Sequence, residues 1–454
     1  MTQGLLNPLG EWRSRMTFML ALTSATVGMG SVWRFSYLSG EYGGAPFVVA
    51  YVAWLLLLAV PLLIAELVLG AQGRGSVVES VGHAAERSQR SSFWVLMPWL
   101  ACVAGVMLLA LYTVVAGWAL VYARDMYTGV FSAASVVNVG QYFNDLLRVG
   151  SRMLWWQSLF LGMVMLVVVA GVRRGLGLFA WVLVPTLLAS LVLLVQYSMA
   201  HGDILAAGKF LFAVQPLDFN REAVLVALGQ AFFTLGIGVG TGISFGSYAP
   251  VRIPIGRSVL AVALFDTLVA VTMGLVIFPL VFAHNLLPSM GPGLMFISLP
   301  YAFGNLVQGE LFGALFFLLV ALVALGACVA ILEPIVGALK RQFSLRRLTA
   351  VVVAGSVIWL LAYAALSTLD AGAEHQGVDL FRLMDRLVGV VILPLVALAT
   401  AVLVGWKIHK PLLRAQLYRE TPLFFSLWHF LLRYIAPPAI ALVLLGGLLS
   451  YGQL

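Results

Sequence analysis

The sequence predicts an all-α integral membrane protein of about eleven transmembrane helices, arranged as two five-span repeats with a broken first and sixth helix. Three observations carry this. Hydrophobic residues make up 62% of the 454 and charged residues 10%, with a mean hydropathy of +1.03; soluble domains run near 45–50% and 25%. Eleven apolar runs approach the roughly 20 residues that a bilayer crossing needs. Two of those runs are interrupted by glycine in corresponding places, five spans apart. The composition excludes a soluble enzyme, a nucleic-acid module and a disordered scaffold. The net charge of +8 fits basic cytoplasmic loops better than nucleic acid.

The eleven runs lie near 17–37, 45–70, 93–122, 153–172, 176–197, 223–248, 259–282, 311–339, 348–366, 383–406 and 427–449. Arg13 and Arg15 precede a full-length first span with no small-residue cleavage site, so the N-terminus reads as a span and not a signal peptide. With the N-terminus in the cytoplasm, 18 of the 26 Lys and Arg face inward and 8 outward, which sets the orientation of a multi-pass cell-membrane protein. Cys102 and Cys328 sit in apolar runs and suggest neither metal spacing nor a disulfide. The histidines, His83, His201, His284, His375, His409 and His429, fall in loops or near span ends, and no nucleophile–base constellation appears in any span, so no enzyme is expected.

The first span reads T-S-A-T-V-G-M-G-S-V-W-R-F over 23–35, and the sixth G-Q-A-F-F-T-L-G-I-G-V-G-T-G-I-S-F-G-S-Y over 229–248. Each interior glycine costs about 1 kcal/mol of helix relative to alanine. Close helix packing accounts for part of that content. Discontinuous helices at matching places account for more, because unwound backbone at membrane depth lines a cavity and can hold a carboxylate or a cation. One transporter domain over 1–454 is expected, with repeats at 13–200 and 221–410 and a peripheral last span at 427–450.

These residues resemble the neurotransmitter:sodium symporters, especially their bacterial amino-acid-transporting members. The first-span V-G-M-G-S-V-W-R-F is followed by G-E-Y-G-G-A-P-F (40–47), P-L-L-I-A-E-L-V-L-G (61–70), L-Y-T-V-V-A-G-W (111–118), the sixth-span G-Q-A-F-F-T-L and M-F-I-S-L-P (295–300), in family order along essentially the whole chain. The resemblance implies alternating access and an amino-acid substrate. It makes Tyr112 the partner of the substrate carboxylate, Phe233 an aromatic lid, and Arg34 with Asp385 the extracellular gate. It makes Glu66 the group pinning the unwound part of span 6, and Trp12 a cytoplasmic anchor. Tyr51 and Gln230 match positions near the family's chloride or carboxylate site.

For the family's first sodium site the matching oxygens are those of Thr26, Ser31, Thr234 and Asp266; a one-residue shift would put Phe265 in place of Asp266. An aspartate there supplies the charge that chloride supplies elsewhere, so chloride is not expected to be required. A second site would have only the carbonyls of Ser24, Val27 and Val323, because Gly326 and Ala327 stand where the family has two hydroxyls, and the Cys328 thiol suits sodium poorly. One sodium is therefore expected. The family's cytoplasmic gate positions fall at Leu9 and Arg341, leaving either a charge-reversed Glu11–Arg341 pair or an arginine with no partner. The pocket positions, Ala25, Thr26, Gly28, Leu108, Tyr112, Phe233, Gly236, Val239, Ala327 and Ile331, are nearly all small or apolar, which predicts a neutral, apolar or aromatic amino acid. Gly28 stands where the family's amine transporters carry an aspartate. Alternatives are proton coupling through Asp266 or Glu333, uncoupled transport, or an amino-acid sensor that does not transport; no signalling domain accompanies the spans.

Overall fold

The computed structural model describes residues 9–148, 150–214, 219–250, 253–286, 293–371 and 379–451. Arg252 and His375 lie outside them. Among the described residues nine helices are long and apolar enough to cross a membrane: Ala45–Gly73, Ser92–Tyr127, Arg152–Val169, Val172–His201, Ile255–Ala283, Gly309–Gln342, Arg347–Thr368, Leu380–Lys407 and Pro422–Leu449. These are spans 2, 3, 4, 5, 7, 8, 9, 10 and 11 of the predicted order. Span 1 is a pair of helices, Arg15–Thr26 and Gly30–Glu41, bent by 78° at the glycine motif. Span 6 is likewise two helices, Arg221–Thr234 and Thr241–Ser247, each too short to cross alone.

Several long spans carry a wide, π-type turn just ahead of a proline. Leu55–Ala59 precedes Pro61, Leu387–Ile392 precedes Pro394, and Leu431–Ile435 precedes Pro437. A proline lacks the N–H and crowds the carbonyl a turn earlier, and a widened turn relieves both faults. The helices therefore bend without ending.

Span 8 forms the axis of the bundle: 83% of its most apolar stretch is buried within the protein, against 22% for span 11. It packs most extensively on span 3, and the second half of span 6 packs on span 2. The two broken helices are thus held between long continuous ones, and the first half of span 6 packs on the resumed helix of span 1.

The end of the bundle that carries most of the Lys and Arg is closed. Trp12 is buried, its backbone N–H donates to Tyr248 O at 2.9 Å, and its indole Nε1 donates to Phe245 O at 3.2 Å. The indole stands edge-on to both rings. Two ion pairs flank it, and they correct both readings of Arg341. Glu11 pairs with Arg74 at 3.3 Å, and Arg341 pairs with Glu79 at 2.8 Å. Glu79 is already fixed by a capping box with Ser76 at the start of the helix Val77–Arg87. Burial works against its charge, but the Arg341 hydrogen bonds and the Ser76 N–H overcome that and hold its carboxyl below the usual range. Glu333, fully buried, accepts from the Tyr248 hydroxyl at 2.8 Å and is ion-paired to Arg347.

Candidate functional site

The first break begins where Val27 leaves the helix at φ −66°, ψ 103° while its N–H still bonds Thr23 O. Ser31 N–H bonds back to Gly28 O at 3.1 Å as the helix resumes. In span 6 the chain turns at Gly236, Gly238 and Gly240, with φ of +61°, +90° and +77°. That left-handed region is costly for any residue with a Cβ, which is why glycine alternates there. Glu66, 1% exposed, accepts the Gly238 N–H at 2.8 Å, and its other carboxylate oxygen lies against Gly242. An acidic side chain from span 2 thus satisfies backbone that the break leaves without a helical partner.

The backbone at both breaks faces open space. A Cβ built on Gly30 or Gly236 meets nothing within 4 Å, and one on Gly28 meets only Thr26 O at 3.7 Å. Of the expected pocket residues, Ala25, Gly28, Leu108, Tyr112, Phe233 and Gly236 are half-buried. Thr26, Val239, Ala327 and Ile331 are buried. The Tyr112 hydroxyl donates to no protein group among the described residues, and it lies within electrostatic range of both Arg34 and Asp385. The Arg34 guanidinium sits 5.8 Å from the Phe233 ring centroid. Arg34 and Asp385 keep exposed surface and attract one another without closing to an ion pair.

Beside it is a buried polar cluster drawn from spans 1, 2, 6 and 7. The Ser31 hydroxyl donates to Asp266 Oδ1 at 3.0 Å, so it is Asp266 that meets span 1 here. The Tyr51 hydroxyl donates to Thr234 Oγ1 at 3.2 Å, and Thr234 donates to Gln230 O at 2.8 Å. Gln230 Nε2 donates to Gly30 O at 3.4 Å. Among the described residues two acceptors of this cluster remain without a donor, Asp266 Oδ2 and Gln230 Oε1. A buried carboxylate with an unpaired oxygen and no cationic side chain beside it is costly. An oxygen-preferring cation relieves that cost, so this donor set fits a sodium ion. Thr26 contributes less directly, since its hydroxyl donates at 3.4 Å to Thr23 O.

The family's second ion position is different. The Ser24 hydroxyl is spent on Ala21 O at 2.7 Å. A Cβ added to Gly326 would stand 2.5 Å from Ser24 O, so span 8 lies directly on that carbonyl. Val27 and Val323 are buried among apolar neighbours, and Cys328 is a buried free thiol. No hydroxyl faces Ser24 O from span 8 at Gly326 or Ala327.

Two polar clusters escaped the sequence reading. One is the Tyr248–Glu333–Arg347 group, of which only Glu333 was expected, as a coupling residue; an acid deep in span 8 ahead of an arginine that opens span 9 was its signal. The other ties span 3 to the helix Val136–Arg148: Asp125, nearly buried, accepts from Arg152 at 2.7 Å and from the Tyr142 hydroxyl. Nothing in the local pattern marks that one.

The sequence model of the sodium:neurotransmitter symporter family matches residues 9–139 and 131–454. The chain belongs to that family. Among its relatives, the uncharacterized sodium-dependent transporter YhdH of Bacillus subtilis is 31% identical over 97% of this chain and 98% of its own length. The sodium-dependent nutrient amino acid transporter 1 of Drosophila grimshawi is 26% identical over 73% of this chain and 61% of its own. The crystal structure of MhsT in complex with L-phenylalanine superposes with a TM-score of 0.86 at 32% identity, covering 96% of this chain and 99% of MhsT. This symporter is accordingly a sodium-coupled secondary transporter with the five-plus-five fold, a membrane protein and not an enzyme.

Proposed function

We propose that the chain carries a neutral, apolar or aromatic amino acid across the cell membrane by alternating access, coupled to one sodium ion and without a chloride requirement. The Lys and Arg bias puts the N-terminus in the cytoplasm. The observation that carries the reading is the open space at the two breaks together with an unpartnered Tyr112 hydroxyl and an unpaired Asp266 oxygen. The substrate carboxylate sits against the span 1 break at Gly28 and takes the Tyr112 hydroxyl. The substrate side chain faces Leu108, Phe233, Gly236, Val239, Ala327 and Ile331, none of them charged. The ion takes Asp266 with Ser31, Thr234 and Thr26. Gly326 seated on Ser24 O argues against a second ion. With Trp12 sealing one end and Arg34 and Asp385 apart at the other, the arrangement is outward-facing; closure brings that pair together over Phe233. The names of MhsT's ligand and of the fly relative support the amino-acid class. A second reading, a proton in place of sodium, draws support from the complete burial of Asp266.

Tyr112→Phe tests the carboxylate position. Removing one charge-assisted hydrogen bond, worth about 1.5–3 kcal/mol, should weaken neutral amino-acid binding about tenfold or more. Equilibrium binding to the purified, folded variant reads this directly. Unchanged affinity would move the carboxylate away from Tyr112.

A further inference from the structure

The basic end of the bundle holds an arginine that the transport machinery does not use. Arg433 lies where the start of span 11 crosses the end of span 10, and the contact is close: a Cβ on Gly405 would stand 3.3 Å from Arg433 Cα. Its guanidinium stacks 4.3 Å from the Trp406 ring centroid and 5.5 Å from that of Tyr434. The Trp406 indole is spent on Arg433 O at 3.3 Å, which fixes the ring under the cation. Arg433 Nε is buried and has no hydrogen-bond partner. Lys410 and Arg433 both lie within electrostatic range of the buried His429, and Lys407 follows Trp406 in sequence. No carboxylate pairs with Arg433, Lys407 or Lys410 among the described residues; the nearby Glu420 is taken by Arg257 at 3.3 Å.

Stacking covers the face of a guanidinium and leaves its N–H edge free, the edge that matches a phosphate in bidentate fashion. Among the described residues no acidic residue answers these cations, which leaves room for a complement from outside the chain. The flanking side chains Leu427, Phe430, Tyr434 and Trp406 are exposed and apolar or aromatic, the composition of a membrane–water boundary. We propose that Arg433, with Lys407 and Lys410, binds the phosphate of an anionic glycerophospholipid at the junction of spans 10 and 11. Basic pockets between membrane helices hold such headgroups; the aromatic and apolar side chains here would lie along the acyl chains.

Native mass spectrometry of the full-length transporter tests this, with phosphatidylglycerol and phosphatidylcholine of matched acyl chains offered in equal amounts. The parent should keep phosphatidylglycerol in clear preference. Arg433→Gln should lower that preference about tenfold, the scale of a lost charge-assisted contact, and Arg433→Lys should recover part of it. If Arg433→Gln does not fold, Lys407→Gln with Lys410→Gln should weaken the preference several-fold in its place. Excess inorganic phosphate should not displace the lipid; if it does, the site is a free-anion site and the lipid assignment falls. No preference in the parent, or the parent's preference retained in both variants, overturns the proposal.

Discussion

Asp266→Asn should lower the apparent sodium affinity of substrate binding by at least tenfold, while the parent's sodium titration should show a Hill slope near one. A full negative charge in contact with a cation is worth several kcal/mol even at an effective dielectric near 20, and part of that is offset by the relief of a buried carboxylate. The Ser31 hydroxyl now donating to Asp266 Oδ1 can donate equally to the amide oxygen, so folding should survive. With one negative charge missing beside Tyr51, Thr234 and Gln230, the variant should gain a chloride dependence that the parent lacks. The slope follows from linkage: one ion site raises substrate affinity with a single binding event. A slope near two would restore the second site despite Gly326. If Asp266 carries a proton in place of sodium, the asparagine variant keeps substrate binding and loses accumulation driven by a pH gradient.

Gly28→Asp should abolish amino-acid binding, by about a hundredfold or more, while Gly28→Ala should leave it nearly intact. The contrast isolates charge from size. A Cβ at Gly28 meets only Thr26 O at 3.7 Å, an ordinary contact, so alanine fits without moving the break. An added carboxylate in the same place would face the substrate's own, and like charges set together cost several kcal/mol. Equilibrium binding of a neutral amino acid to both variants checks this. Equal binding by both would remove the carboxylate from the span 1 break.

The spans and the two breaks were legible because each depends on local chemistry. Hydropathy marks a crossing, and glycine marks backbone that a Cβ would strain. Even the five span 6 glycines divide physically. Gly236, Gly238 and Gly240 carry the left-handed turns. Gly242 and Gly246 are helical and allow close approach: a Cβ would stand 2.5 Å from the Glu66 carboxylate and 2.2 Å from Leu67 O. The close-packing and broken-helix readings of that segment therefore both hold, each for different residues. Asp266 was legible as an acid inside a membrane helix, which is rare without a purpose. The basic-end ion pairs were not. Glu11 meets Arg74 and Arg341 meets Glu79 across 63 and 262 residues, and the choice among several acids and bases at that end depends on where the helix Val77–Arg87 lands. The Arg433 stack was hidden likewise, since an arginine near a span end reads as one more inward-facing charge.

Uptake of a neutral amino acid into proteoliposomes, with sodium and proton gradients imposed separately, tests the central claim most directly. An inward sodium gradient alone should drive accumulation above equilibrium, with chloride replaced by an impermeant anion. A pH gradient without sodium should drive none. Accumulation under the proton gradient alone, or equilibration without accumulation under every gradient, would contradict sodium coupling through Asp266.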